Sequence, residues 1–232
     1  GGSGTRLAPA TTAFSKQLLP VFDKPMIYYP LSTLMLAGVR DLLVITTPED
    51  TPLFARLLGD GAQWGVHVAY ATQAQPRGIA EALVIGESFL AARASALVLG
   101  DNLFFGHDLP AQVQGAMARE RGATVFAQQV AHPEAYGVVA YGAQDTVIDI
   151  VEKPAVAPSR WAVTGLSLYD AHAPELARSL RPSARQELEI TAPAATSPPA
   201  SVKLPSVWPT MNCACPPMLP PVMLTALTAP AI

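Results

Sequence analysis

Asp41 to Thr47 reads DLLVITT, a short and nearly continuous apolar run. A strand with one wet face alternates apolar and polar residues, whereas a strand covered on both faces is apolar at successive positions. This run therefore predicts a buried sheet of the parallel type, with helices packed on its two sides. The neighbouring segments agree. Pro25 to Ala37 carries Met26, Tyr29, Leu34 and Leu36 at spacings compatible with a helix, with Pro30 expected to bend it or begin it afresh and Gly38 to stop it.

The alternation then repeats. A helix is expected over Thr51 to Leu58, turn residues at Gly59 to Gly61, and a strand over Val66 to Ala71. A helix from about Gly78 to Ala91 leads into the strand Ala94 to Gly100, which stops at Asp101-Asn102. That places a carboxylate at the C-terminal end of a strand, the edge where ligands gather in open α/β sheets. Asp108 is positioned to cap a helix running to about Arg121, and Ala123 to Val130 is another apolar strand. Strands follow at Tyr136 to Tyr141, Thr146 to Val151 and Trp161 to Tyr169, then a helix from Pro174 to about Leu180. Leu7 to Asp23, with Pro9, Pro20 and paired threonines, reads as an extended loop that contains Lys16 and Gln17.

The chain opens Gly1-Gly2-Ser3-Gly4-Thr5-Arg6. Glycines free a backbone to turn its amides toward anionic oxygens, and an arginine adds a planar fork suited to phosphate. A flexible glycine-rich terminus is the competing reading of those residues taken alone. With 232 residues, half of them hydrophobic, the chain can bury one sizeable core. A formal charge of −3 and the lack of a basic run argue against binding nucleic acid. No apolar stretch reaches the length of a membrane span, so a cytoplasmic protein with no membrane partner is expected. Cys213 and Cys215 stand one residue apart without further ligands to complete a zinc site, and His67, His107, His132 and His172 fit surface or turn positions.

Composition changes at Thr191. The 41 residues from Ala192 to Ile232 contain ten prolines, no glycine and no acidic residue, and Lys203 is their only charge. No window there holds a helical or alternating period, so the chain divides into 1–191 and a Pro/Ala-rich tail, 192–232, expected to be disordered or translated out of frame.

Taken together, GGSGTRL, SKQLLPVFDKPMIYYPLSTLMLAG, QPRGIAEA, LVLGDNLFFGH, VEKP and ELEIT make the chain closely similar to the sugar-nucleotide nucleotidyltransferases of the glucose-1-phosphate thymidylyltransferase type. The resemblance covers Gly1 to about Thr191. It implies a three-layer α/β/α Rossmann-like fold, incomplete here at both ends. It also implies Mg²⁺-dependent joining of dTTP to α-D-glucose 1-phosphate, giving dTDP-glucose for dTDP-rhamnose and related polysaccharide synthesis, with release of pyrophosphate. The attacking phosphate oxygen is already ionised at neutral pH, so such a site needs cations, amides and a metal more than a general base.

By the same resemblance, Gly1, Gly2, Gly4, Thr5 and Arg6 wrap the nucleotide, with Arg6 and Lys16 as the catalytic cations. Gln73 and Gly78 face the base, and Asp101 holds Mg²⁺. Tyr136, Gly137, Glu152, Lys153, Val163 and Arg185 bind the sugar phosphate. Glu152 and Lys153 are not expected to pair with each other, since adjacent strand residues face opposite ways. The family commonly forms homotetramers, which makes a homo-oligomer the expectation. Two departures stand out. The family places an apolar strand before its glycines, and it continues past ELEIT to a WLDTG-like segment whose aspartate is a second metal carboxylate; no acidic residue follows Glu189 here. Weak or absent turnover is expected on that ground. A UTP-using or other sugar-1-phosphate enzyme, and a noncatalytic nucleotide-binding remnant, remain open alternatives.

Overall fold

The computed structural model describes residues 7–106, 108–118, 121–142, 147–183 and 186–190, together with the backbone of 201–203 and 222–225. The loop after Leu7 is more ordered than an extended segment. It forms turns, a 3-10 turn at Lys16–Leu18, and a small antiparallel ribbon of β1 (Pro20–Val21) and β2 (Lys24–Pro25). Helix α1 (Tyr28–Leu36) follows. Pro30 neither bends nor restarts it, because it lies in the first turn, where its missing N–H has no helical acceptor to lose.

Strand β3 (Asp41–Thr46), helix α2 (Thr51–Leu58) and strand β4 (His67–Thr72) come next. Helix α2 begins with Pro52 in its first turn and stops at Gly59, whose φ of 59° is the left-handed backbone that glycine tolerates best. The single helix expected over Gly78 to Ala91 is shorter and divided into α3 (Glu81–Ile85) and α4 (Glu87–Leu90), which meet at Gly86. Its late start has a tertiary cause. The backbone just before Glu81 pairs with Leu188 instead: the Leu188 amide donates to Arg77 O at 2.7 Å, and the Ala80 amide donates to Leu188 O at 3.1 Å. Gly78 lies between these two bonds at φ 102°, and a Cβ there would sit 2.4 Å from Leu188 O and 2.5 Å from Leu188 N.

The remaining elements are β5 (Ser95–Leu99), α5 (Leu109–Met117), β6 (Ala123–Gln129), the hairpin β7 (Gly137–Tyr141) and β8 (Val147–Glu152), β9 (Trp161–Tyr169) and α6 (Ala173–Ser179). Asp108 occupies the N-cap position of α5 but makes no side-chain cap bond. In the tail, Ser201–Lys203 forms β10 and Val222–Thr225 forms β11, although no regular element was expected there.

The main sheet runs β10-β6-β9-β5-β11-β3-β4, with β7 and β8 attached beside β9. Its centre is parallel, as the apolar run predicts: β4 lies along β3, β3 along β11, and β11 along β5. The sheet as a whole is mixed, because β9 runs antiparallel to both β5 and β6. β3 explains the layering. Leu42 and Val44 enter a core shared with Leu31, Leu34, Phe54 and Val113, while Leu43 and Ile45 enter a second core with Ala82, Leu83, Ala173 and Ala177. Successive strand residues point to opposite faces, so one apolar strand feeds two cores, and helices α1, α2 and α5 cover one face while α3 and α6 cover the other. The result is the three-layer α/β/α arrangement.

Local sequence pattern does not place β11. Its four residues fill the slot between β3 and β5, with Met223 opposite both Leu43 and Leu97 and Leu224 opposite both Val44 and Val98. Without a strand here, buried amides and carbonyls on both neighbours would have no partner.

Three predictions follow from this packing. Leu224→Pro removes a ladder donor from the middle of the sheet and should lower stability by about 3 kcal/mol or more in urea unfolding; an unchanged midpoint would refute the pairing. Gly78→Ala should cost about 1–3 kcal/mol and raise amide exchange at Leu188, because the new methyl cannot share space with that backbone. The third concerns pH. Tyr169 is buried and donates its hydroxyl to Ile190 O at 3.1 Å, and burial pushes its phenol well above the ordinary range. The unfolded chain therefore loses this proton first, and stability should fall as pH rises past about 10. Tyr169→Phe should flatten that alkaline decline in thermal melts.

Candidate active site

The parallel strands end along one edge of the sheet. Thr46 closes β3, Gln73 follows β4, and Asp101 follows β5 by two residues. This is the edge at which ligands of α/β sheets are bound. The Gln73 amide donates to Thr46 O at 2.8 Å, which extends the β3–β4 pairing to the last residue before the loop. β4 and β5 stand three strand positions apart, so Gln73 and Asp101 are separated across the edge by about 14 Å at ordinary strand spacing.

Lys16 arrives at this edge from the loop that precedes β1. Its ammonium forms an ion pair with Asp101 Oδ2, and both side chains are largely buried. The other Asp101 oxygen, Oδ1, is buried and lacks a hydrogen-bond partner among the described residues. Gln17 anchors the loop. Its side chain is fully buried, its carbonyl accepts the Ile27 amide at 2.9 Å, and its Oε1 accepts the Ser15 hydroxyl. The loop after β5 is held in turn by contact between Asn102 and β9: a Cβ on Gly165 would lie 2.3 Å from Asn102 Nδ2.

The surroundings of Asp101 also suit a metal ligand. One carboxylate oxygen already faces a cation, and the second is desolvated and unpartnered, which fits a hard ion that takes oxygen ligands. No group of three or more His, Cys, Asp or Glu side chains is gathered among the described residues. Most ligands of such an ion would therefore come from substrate phosphates and water, the usual situation for Mg²⁺.

Gln73 is almost fully buried, and its Nε2 donates to Gly78 O at 3.0 Å and to Glu81 Oε2 at 2.7 Å. Its Oε1 has no partner among the described residues. Glu81 stands within QPRGIAEA, but nothing in the sequence sets it apart as a partner of Gln73. What Gly78's missing side chain admits in this structure is the backbone of Leu188, a structural requirement separate from any room made for a base.

The expected sugar-phosphate residues other than Arg185 form a second group, around the β7–β8 hairpin. Gly137 pairs with Glu152, the Lys153 amide donates to Tyr136 O at 2.9 Å, and Val138 pairs with Ala162, the neighbour of Val163. Tyr136 is half exposed. The strand alternation invoked for Glu152 and Lys153 does not extend to Lys153, because β8 ends at Glu152 and Lys153 turns into left-handed backbone at φ 43°. His67, His132 and His172 are exposed, in keeping with surface positions. Gly1, Gly2, Gly4, Thr5, Arg6, His107, Arg185, Cys213 and Cys215 lie outside the described residues. Among the described residues no helix is long and apolar enough to cross a membrane.

Comparison with known proteins supplies the family. Over 191 residues the chain is 58% identical to a glucose-1-phosphate thymidylyltransferase of Xanthomonas campestris pv. campestris strain B100; the match covers 82% of this chain and 65% of that protein. A crystal structure named for a glucose-1-phosphate thymidylyltransferase of Bacillus anthracis, in complex with a sucrose, superimposes with a TM-score of 0.81 at 36% identity, covering 90% of this chain and 85% of that one. A UDP-glucose pyrophosphorylase complexed with UDP-glucose superimposes with a TM-score of 0.72 at 27% identity, covering 84% and 83% of the two chains. The nucleotidyl transferase family model matches residues 1–196. A three-layer sheet whose C-terminal edge carries the Lys16–Asp101 pair, the superposition on these two structures and the match over 1–196 together establish that the chain belongs to the nucleotidyl transferase family.

Proposed function

We propose that this chain is the nucleotidyltransferase part of a glucose-1-phosphate thymidylyltransferase, joining dTTP to α-D-glucose 1-phosphate. A phosphate oxygen of the sugar forms a bond to the α-phosphorus, the bond from that phosphorus to the bridging oxygen breaks, and pyrophosphate leaves with the electron pair. The reacting oxygen carries no proton at neutral pH, so the residues required are those that gather and neutralise anions.

The observation that carries the reading is the Lys16–Asp101 pair at the ligand-binding edge, with one Asp101 oxygen left unpartnered. In this reading Lys16 meets the triphosphate, and Arg6 and the amides of Gly1, Gly2, Gly4 and Thr5 are its proposed partners. Mg²⁺ held by Asp101 and by the substrate phosphates would draw charge from the α-phosphorus and the departing pyrophosphate. Gln73 and Gly78 take the base side, and Tyr136, Gly137, Glu152, Lys153, Val163 and Arg185 take the sugar phosphate. Likeness to the UDP-glucose pyrophosphorylase favours UTP as the second nucleotide to test.

Pyrophosphate release is the assay, with Mg²⁺, glucose 1-phosphate and either dTTP or UTP. Release with dTTP is expected to exceed that with UTP. Asp101→Ala and Lys16→Ala are each expected to reduce it by a factor on the order of 10²–10³. Comparable rates with UTP would move the substrate assignment to uridine nucleotides. Thermal stabilisation by dTTP without turnover would identify a binding protein instead.

A further inference from the structure

We infer that Glu81 is a positioning residue that fixes the orientation of the Gln73 carboxamide and thereby sets which bases the site accepts. The inference rests on the nucleotide-site reading above and deepens it.

A carboxamide can be turned end for end, and each orientation recognises a different partner. Here the choice is forced. The nitrogen of Gln73 faces two acceptors, Gly78 O at 3.0 Å and Glu81 Oε2 at 2.7 Å, and each of its two hydrogens has one of them. The opposite orientation would set the amide oxygen against a carbonyl and a carboxylate, with no hydrogen between them. Glu81 can only accept when ionised, so it tolerates one orientation. Its carboxylate is itself held: Glu81 stands in the first turn of α3, and Arg77 Nη1 lies 3.7 Å from Oε1.

The consequence falls on the other end of the amide. Gln73 is 3% exposed, and its Oε1 is buried without a partner among the described residues. A buried acceptor left in this state favours a ligand that brings a donor to it and disfavours one that brings a lone pair. Thymine and uracil carry N3–H on their pairing edge, whereas cytosine carries an unprotonated N3. With its amide held by Glu81, Gln73 selects for the first pair over cytosine where the base presents N3 to Oε1. Without Glu81 only the Gly78 carbonyl would oppose turning the nitrogen outward, and the discrimination would weaken.

The experiment measures nucleotide preference, which a purely structural role for Glu81 would leave unchanged. The intact chain is melted with Mg²⁺ plus either dTTP or dCTP, and kcat and KM are measured for both in the presence of glucose 1-phosphate. Glu81→Gln keeps the length of the side chain but can donate as well as accept, so the turned orientation of Gln73 is opposed by the Gly78 carbonyl alone. Glu81→Met, of similar length and apolar, removes the carboxylate's hold on the amide and serves as the second variant. In each, the preference for dTTP over dCTP is expected to fall about tenfold or more, through KM and the ligand-induced melting shift, with kcat for dTTP little changed. Either variant melting cooperatively while retaining the parent's preference would overturn the assignment of Glu81 alone. A parent protein stabilised by neither nucleotide would overturn the nucleotide-site reading together with it.

Discussion

The centre of a sheet covered on both faces has no water to satisfy its backbone, and the slot between β3 and β5 is where this constraint is most severe. Each neighbour presents amides and carbonyls toward it from a strand that is apolar almost throughout. β11 closes the gap from the far end of the sequence, in parallel register with both sides. The C-terminal edge of the sheet depends on that closure, because β3 and β5 can hold their loops at a fixed separation only if something pairs between them. Asp101 at the end of β5 and Gln73 beyond β4 are positioned relative to one another through this strand.

Residues at that edge also show where pairing is incomplete. Asp101 Oδ1, Gln73 Oε1 and Gln17 Nε2 are buried without partners among the described residues, and all three belong to the segments that build the candidate site. A folded chain ordinarily pairs such atoms, since leaving one unmade costs about 1–3 kcal/mol. Unmet polar groups concentrated at a ligand edge are the arrangement expected of a site whose substrate completes the bonding. Ser95 Oγ, also buried and unpartnered, lies at the opposite end of β5 and marks no comparable cluster.

Much of the architecture was legible in local pattern. DLLVITT, ASALVLG and the helix between Thr51 and Leu58 appear as read, because an apolar run in a covered strand and an amphipathic turn pattern each declare themselves within a few residues. The misread boundaries have long-range causes. The helix after Gly78 starts late because Arg77 and Ala80 spend their backbone groups on Leu188, over a hundred positions away in the chain. The mixed direction of the sheet depends on β9 passing between β5 and β6, and no feature of WAVTGLSLY states which neighbours it will pair with. The site divides in the same way. Lys16 and Asp101 could be singled out by residue type and motif, but Glu81 could not, since its contact with Gln73 joins a strand end to a helix start.

By itself, the sequence determined most of the elements before Thr191, their two-faced burial and the residue types available to the candidate site, because period, composition and side-chain functionality are local properties. Tertiary structure alone decided that a proline-rich tail would lend four residues to the middle of the sheet, that Lys16 would meet Asp101, and that one orientation of Gln73 would prevail. Those outcomes depend on which distant groups are left needing a partner once the chain has closed, and that need exists only in the folded state.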